Sequence, residues 1–396
     1  MECMQYIKRF LEKSIKKSIS KGKSILLLGP RQTGKTTLIK QLSSDLYISF
    51  VRPDVRQRYE KAPELLLGEI EGESKKSKKG KLPLVVLDEI QKVPIMLDVV
   101  QDIIDNKKAQ FILTGSSARK LRRGENVNLL PGRVLSFKLD PLMIGELPEI
   151  NLHDLLMYGS LPAIVQIKNN AEIEKELESY VVAYLEEEVR AESIVRNLGP
   201  FARFLELSAS ESGNIINLRK LSQEIGISHT TIASYFQVLE DCLIVEKVEP
   251  ISVSKTRKKL TKSDKYLFFD LGVRRIAAKE GIKQPKELLG KLFEQFIGLE
   301  LIRHSRLYGR TNRIYFWRDP DGPEVDWVLN KDGGYFPIET KWTDTPTKND
   351  IKHIKVFMSE YKNSKTGFLI CQAERKVKLD ENIFAISWKQ ISELFT

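Results

Sequence analysis

Short apolar runs alternating with helix-like stretches set the rhythm of the first 149 residues. The runs read ILLLG, YISFV, LVVLDE, FILTGSS and RVLSFKL. This alternation predicts a parallel α/β sheet. In LPLVVLDEI four consecutive apolar residues fit a strand buried on both faces. The polar tract Glu71–Lys81, EGESKKSKKGK, interrupts the rhythm and reads as a solvated loop. Residues 150–200 read as helical, most clearly over IEKELESYVVAYLEEEVRAESIV. Residues 201–281 carry helix-turn-helix spacing followed by strands, and residues 282–396 return to α/β alternation. Pro and Gly in EGIKQPKE, Glu280–Glu287, mark the boundary between these last two regions. No fixed-period repeat runs through the chain.

Composition adds three constraints. A length of 396 residues allows two to four domains, and 41% apolar content supports real cores. No apolar run approaches a membrane span. The opening MECMQYIKRFLEKSIKKSI lacks the apolar core of a secretory signal and reads as an amphipathic helix, so a cytoplasmic location is expected. Cys3, Cys242 and Cys371 are too scattered for a disulfide framework or a zinc site. The net charge is +11, and eleven Lys/Arg against five Asp/Glu fall within 243–283, a local excess of 11 − 5 = +6. About half of the whole excess in about a tenth of the chain is a patch, which points to a polyanionic partner such as DNA.

The stretch LLLGPRQTGKTTLIKQL carries the spacing Gly29-x-x-x-x-Gly34-Lys35-Thr36 between a strand and a helix. Glycines without Cβ let the backbone curl and turn its N–H groups inward around an anion. The expected nucleotide cradle is Gly29, Pro30, Arg31, Gln32, Thr33, Gly34, Lys35, Thr36 and Thr37. Lys35 can reach the terminal phosphates of ATP, and the Thr36 hydroxyl can ligate Mg²⁺. About fifty residues later an apolar strand ends in Asp88 and Glu89, at the edge where parallel sheets place ligands. Asp88 would hold Mg²⁺ through water and Glu89 would polarise the attacking water. The strand Ala109–Leu113 is expected between these two motifs in the sheet and ends in Thr114-Gly115-Ser116-Ser117, where Ser116 can sense the γ-phosphate. Arg133, on a turn before a strand, is either an arginine finger for a neighbouring subunit, which implies a homo-oligomer through this domain, or a surface arginine. Arg31 and Arg119 are weaker candidates for that role.

GPRQTGKTTL, VVLDEIQKVP, FILTGSSA, LPGRV and LDPLMIGEL together resemble the AAA-type P-loop ATPases of a large archaeal and bacterial family that pairs the ATPase with a C-terminal domain long described as of unknown function. The likeness continues through YGSLPAIV, YVVAYLEEEV, HTTIASYFQVLEDCLIVEKVEP, KYLFFDLGVRR, GKLFEQFIGLEL and EVDWVL. It spans nearly the whole chain. It implies an AAA-type ATPase domain over 1–149, a helical lid or linker over 150–200, a winged helix-turn-helix over 201–281 and a restriction-endonuclease-like domain over 282–396. The family usually carries Asp where this chain has Glu188.

The helix-turn-helix is also legible without the resemblance. Leu218, Leu221 and Ile225 share a helical face, Gly226 permits the turn, and Ser228 is a good N-cap for a helix from His229 to about Glu240. Ile232, Phe236 and Leu239 form its inner face. His229, Thr230, Ser234, Tyr235 and Gln237 form the outer face, able to reach base edges or phosphates. CLIVEKVEPI reads as the first strand of a wing. SKTRKKLTKSDK, Ser254–Lys265, reads as its basic tip, with Lys255, Arg257, Lys258 and Lys259 facing DNA. Further on, Asp326 in EVDWVL and, thirteen residues later, Glu339 and Lys341 in YFPIETK give the Asp…Glu-x-Lys arrangement of metal-dependent nucleases. Asp326 and Glu339 would bind Mg²⁺, Lys341 would orient the attacking water, and Glu294 would add a carboxylate. Charge inside otherwise apolar strands is costly unless used. Two readings remain open: an ATPase that binds and cuts DNA, and a nucleotide-dependent DNA- or protein-binding switch with an inactive nuclease fold.

Overall fold

The computed structural model describes residues 5–74, 82–117, 130–148, 151–185, 198–251, 260–309, 311–319 and 322–395. The chain packs into two units. The first comprises Met1–Leu142, Leu161–Gln166 and Asp241–Ile244; the second comprises Met143–Ser160, Ile167–Glu240 and Val245–Thr396.

In the first unit, α1 (Phe10–Ser20) precedes β1 (Ser24–Leu28), α2 (Lys35–Lys40), β2 (Leu46–Ser49), α3 (Pro53–Lys61), α4 (Leu65–Ser74), β3 (Leu84–Asp88), α5 (Met96–Asp105), β4 (Gln110–Gly115) and β5 (Val134–Lys138). All five anticipated strands form. They make one parallel sheet in the order β2-β3-β4-β1-β5. The pleat sorts the apolar runs into two layers. Leu26, Leu28, Val85, Leu87, Phe111 and Leu113 face one core with Met96, Val100 and Ile103 of α5. Ile25, Leu27, Val86 and Ile112 face the other, against Ile15 of α1 and Leu38 and Ile39 of α2. Strands buried on both faces carry no polar alternation, which explains the unbroken apolar runs. Because β4 separates β3 from β1, the C-terminal ends of these three strands lie side by side, and the motifs after them meet at one edge.

The second unit starts with α6 (Leu152–Tyr158) and α7 (Asn170–Ser179), which runs on into a π-helical segment over Tyr180–Leu185. Much of the predicted helix toward Val195, including Glu188, lies outside the described residues. Then come α8 (Leu198–Ser210), α9 (Leu218–Ile225), α10 (His229–Asp241), β6 (Val245–Val248), β7 (Lys265–Phe268) and α11 (Leu271–Ala277). Gly226 makes the turn between α9 and α10 with φ 77°, a conformation suited to glycine. The Ser228 hydroxyl accepts the Thr231 N–H at 3.1 Å, as an N-cap does. β6 and β7 pair antiparallel, and Ile215 bridges to Lys265.

The rest of this unit is α12 (Lys286–Tyr308), β8 (Arg313–Arg318), β9 (Glu324–Lys331), β10 (Gly334–Thr340), α13 (Lys352–Glu360), β11 (Gly367–Cys371), β12 (Val377–Asp380) and β13 (Ile383–Ser387). Its separate sheet is mixed, in the order β12-β13-β11-β10-β9-β8, with β10, β11 and β13 parallel. α12 lies close to this sheet at Gly298, where a Cβ would stand 2.4 Å from the Trp327 ring. Ile354 of α13 packs with Leu369, Ile383 and Ala385, and Phe357 packs with Trp317, Val325 and Val328. The fold is therefore mixed α/β, with a parallel central sheet in the first unit and a distinct sheet in the C-terminal part.

Candidate functional site

The phosphate-loop residues curl between β1 and α2. Gly34 has φ 91°. At Gly29 a Cβ would stand 2.4 Å from the Leu139 carbonyl oxygen, so only glycine fits against the chain following β5. The Lys35 ammonium is buried within the loop and donates to the Gly29 and Pro30 carbonyls at 2.8 and 2.9 Å. The Thr33 hydroxyl donates to Pro30 O at 2.9 Å, bracing the curl. Beneath it lies Arg9, a buried residue just ahead of α1. Its guanidinium donates to Thr33 O at 2.8 Å, Asp140 O at 2.7 Å and Pro141 O at 3.2 Å. In the sequence Arg9 is one of several cations on an amphipathic helix, and nothing there marks it.

Asp88 closes β3 with both oxygens engaged. Oδ2 accepts from the Tyr47 hydroxyl at 2.9 Å and the Thr36 hydroxyl at 3.4 Å, and Oδ1 accepts from Thr114 at 2.6 Å. The Thr114 oxygen in turn accepts the Glu89 N–H at 3.0 Å, which fastens the tip of β3 to β4. Glu89 has φ 61°, an unusual conformation for a residue with a Cβ. Its carboxylate receives the Gln91 amide and, at 3.4 Å, the Ser116 hydroxyl; Gln91 also donates to Ser116 at 3.1 Å. Tyr47 and Gln91 join a cluster that sequence reading limited to the motif residues. Burial, and secondarily the Asp88 carboxylate, push the Tyr47 hydroxyl pKa up, so it remains a proton donor. Hard oxygens from Thr36 and Asp88 beside a lysine and an inward-curled loop suit a nucleotide with Mg²⁺. Arg133 is held by Asp105 through a two-pronged ion pair, Nε–Oδ1 2.7 Å and Nη2–Oδ2 2.8 Å. Arg119 lies outside the described residues.

On α10 the outer face carries His229, Thr230, Ser234 and Gln237 exposed. Tyr235 does not belong there. It is only 4% exposed and packs against Phe201 and Phe204 at 5.0 and 5.2 Å between ring centroids. The turn of the helix places it beside Phe236, and the aromatic side chains of α8 make a slot that buries the ring. Lys255, Arg257, Lys258 and Lys259 lie outside the described residues. Lys265, expected in the basic tip, instead begins β7. Its pairing with Val248 and its bridge to Ile215 draw it inward, to 9% exposure.

There Lys265 meets the C-terminal carboxylates. Its ammonium lies 3.0 Å from Glu294 Oε1 and about 5 Å from two ring centroids, Phe316 at 5.1 Å and Trp327 at 5.0 Å. Burial alone would lower the lysine pKa, but Glu294 and Asp326 raise it, so it keeps its proton. Burial pushes Glu294 up to about 7, with Lys265 opposing and Asp326 adding to the rise. Asp326 Oδ2 accepts the Thr340 N–H and hydroxyl, each at 2.8 Å. Glu339 is buried, and its Oε1 has no hydrogen-bond partner. Burial first, then Asp326, holds its pKa well above the carboxylate range, while Lys341 pulls the other way. Lys341 itself is exposed, just past the end of β10. A cavity of about 270 Å³ is lined by Asn214, Lys265, Lys291, Glu294, Glu324 and Asp326. Among the described residues no three His, Cys, Asp or Glu side chains are gathered to hold a metal ion. This arrangement therefore does not fit the divalent ion expected for Glu294, Asp326 and Glu339.

Residues 21–148 match the family model described as AAA domain. Residues 149–285 and 289–391 match two models described as domains of unknown function. An uncharacterised protein of Mycobacterium tuberculosis is 23% identical over 352 residues, covering 88% of this chain and 76% of that protein. One of Methanocaldococcus jannaschii is 23% identical over 432 aligned positions, covering 96% and 87%. Among solved structures, the Orc1 protein of Aeropyrum pernix, determined in complex with DNA, is 12% identical over 70% of this chain and 94% of its own, with a TM-score of 0.31. The AAA-domain match extends over the parallel sheet and both the phosphate-loop and Asp88–Glu89 motifs, so this part of the chain is similar to AAA-type ATPases. Among the described residues no helix is long and apolar enough to cross a membrane.

Proposed function

We propose that the protein is an ATP-hydrolysing AAA-type ATPase that engages DNA through α9, α10 and the β6–β7 hairpin, read as a winged helix. The observation that carries the ATPase reading is Glu89 at the tip of β3, oriented by Gln91 and Ser116, beside Asp88, Thr36 and the Lys35 loop. Residues 29–37 would receive the triphosphate, with Lys35 exchanging its loop carbonyls for phosphate oxygens. Mg²⁺, facing Thr36 and Asp88, would neutralise phosphate charge. Glu89 accepts hydrogen bonds from two side-chain donors, which leaves it placed to orient a water toward the γ-phosphate. For Arg133 to serve a neighbouring subunit it must first leave Asp105. Nucleotide-dependent hydrolysis, measured as phosphate release, tests this reading.

Tyr47 bears on the same reading. Its hydroxyl takes the Asp88 oxygen nearest Thr36, so it competes with the ion there. Tyr47→Phe is expected to lower the Mg²⁺ concentration needed for half-maximal hydrolysis by about 2–10-fold, the worth of one hydrogen bond. A higher Mg²⁺ requirement would mean that Tyr47 holds Asp88 in place instead.

The exposed, polar face of α10 and the basic run Lys255, Arg257, Lys258 and Lys259 in the sequence support DNA as the partner; Lys265, Arg274 and Arg275, also counted in the +6 excess, are buried and paired with Glu294, Glu280 and Glu174, so they add nothing to it. Neutralising Lys255, Arg257, Lys258 and Lys259 together should weaken binding to all sequences and flatten its salt dependence by about 0.9 in log–log slope per lost phosphate contact. Unchanged affinity and slope would leave protein contacts as the role of this region.

For residues 282–396, read as a nuclease-like domain, a specific observation favours the inactive-fold alternative. Glu294 is neutralised by Lys265, and Asp326 is held by Thr340. DNA cleavage with Mg²⁺, compared between wild type and Asp326→Ala, decides between the two.

A further inference from the structure

The helix α1 and its flanks carry positive charge that their packing does not use. Residues 8–23 hold seven Lys/Arg against one Glu. Arg9 is buried in its bracket of loop carbonyls, and Lys16 pairs with Glu12, which is itself buried and also accepts the Tyr6 hydroxyl at 2.7 Å. Lys13, Lys17, Lys21 and Lys23 are exposed, and among the described residues none of them has an acidic partner. Lys13, Lys17 and Lys21 recur every four residues, so they stack on one outward face about 6 Å apart along the axis. Like charges at this spacing repel and weaken a helix. A helix C-terminus favours a cation, which accounts for Lys17 or Lys21 but not for Lys13 near the other end. The opposite face of α1 is already committed: Ile15 is buried, and Leu11 and Ile19 pack into the core that holds Leu38 and Ile39. Beyond the helix the row continues to Lys23, which leads into β1 at the sheet edge opposite the phosphate loop.

We propose that this lysine row is a second nucleic-acid surface, in the first unit itself, that holds the phosphate backbone of duplex DNA without reading its sequence. A backbone presents an unbroken line of one sign of charge and needs no apolar anchor. Lysines meet it as point charges, without the fork by which arginine reads base edges. A helix lying on a membrane needs its apolar face free for insertion, and here that face is spent on the core. An acidic protein partner would call for a central cluster of apolar or aromatic anchors, and the row offers only Phe10 at its start, 40% exposed. The inference rests on the reading of DNA as this protein's partner, but not on α9 and α10.

The test is binding of a fluorescent DNA duplex to the full chain, followed by anisotropy across a salt series with two unrelated sequences. Lys13→Gln, Lys17→Gln, Lys21→Gln and Lys23→Gln are combined in one variant, since glutamine keeps helix propensity. Its affinity for both duplexes should fall about tenfold or more, and the log–log salt slope should flatten by about 2 or more, at about 0.9 per lost phosphate contact. Its melting temperature should not fall, because like charges leave. Unchanged affinity and slope overturn the proposal, as does a loss confined to one sequence. If the combined variant does not fold, the pair Lys13→Gln and Lys17→Gln carries the same test, with about half the loss of slope. The variant neutralised at Lys255, Arg257, Lys258 and Lys259 is titrated in parallel. A loss there with none from α1 keeps the DNA reading of α10 and removes this surface; the reverse keeps this surface and removes that one. A wild type that binds neither duplex removes both. Binding to vesicles of phosphatidylserine and phosphatidylcholine that is lost in the α1 variant while DNA binding stays intact would make the helix a membrane contact and overturn the proposal.

Discussion

Lys35→Ala is expected to abolish measurable nucleotide binding, weakening it by at least about 100-fold, or ~2.7 kcal/mol. The substitution removes the one ammonium enclosed by the phosphate loop and leaves the Gly29 and Pro30 carbonyls facing an incoming polyanion. Loss of a cation from a buried, hydrogen-bonded position costs roughly 2–5 kcal/mol, which sets the scale. Glu89→Gln should behave differently. An amide of the same shape still accepts from Gln91 and Ser116, so the nucleotide should bind, but it cannot take a proton from water. Turnover should fall about 10²–10⁴-fold, the usual worth of a general base. Fluorescent-nucleotide titration and phosphate release separate the two effects. Normal turnover by Glu89→Gln would remove Glu89 from the catalytic role; unchanged affinity in Lys35→Ala would remove the loop from nucleotide binding.

The second large effect is on stability. Asp270→Ala should destabilise the second unit by about 3–5 kcal/mol. Asp270 is buried ahead of α11. Its Oδ1 accepts the Gly272 and Val273 N–H groups at 3.0 and 3.2 Å, and its Oδ2 accepts that of Ser160 at 2.7 Å. Alanine strands three buried donors at once, each costing about 1–3 kcal/mol if unmet, part of which water can recover. The neighbouring chain cannot close the gap freely, since Gly159 has φ 74° and already lies against this carboxylate. Asp270→Asn keeps the volume and one acceptor and should lose less. Chemical denaturation of the wild type and both variants measures the order. Equal midpoints for wild type and Asp270→Ala would show that these hydrogen bonds contribute nothing net.

Much of the first unit was legible because its signals are local. A run such as SILLL becomes a strand wherever two layers cover it, and the positions of Gly29, Gly34 and Lys35 follow from a single turn. The α9–α10 pair was readable for the same reason, through Gly226 and Ser228. What escaped depends on distant pairing. Lys265 sits in a lysine-rich run and looks solvated until β6, Ile215 and α12 close around it. Tyr235 is polar enough for an outer face, but Phe201 and Phe204 lie more than thirty residues upstream. Glu339 and Lys341 share strand parity, yet β10 ends between them, so one is enclosed and the other is free to extend into water. Tyr47 carried no signal beyond being an aromatic residue on an expected strand.

Arg9 has a consequence for modularity. It precedes α1, outside the 21–148 span that matches the AAA domain, yet it fastens Thr33 of the phosphate loop to Asp140 and Pro141 after β5. An ATPase module excised at the borders of family likeness would keep every recognisable motif and lose the bracket that joins its first loop to its last strand. Transplanting or recombining this domain therefore requires carrying the leading helix and the arginine before it, even though neither is recorded in the motifs by which the domain is known.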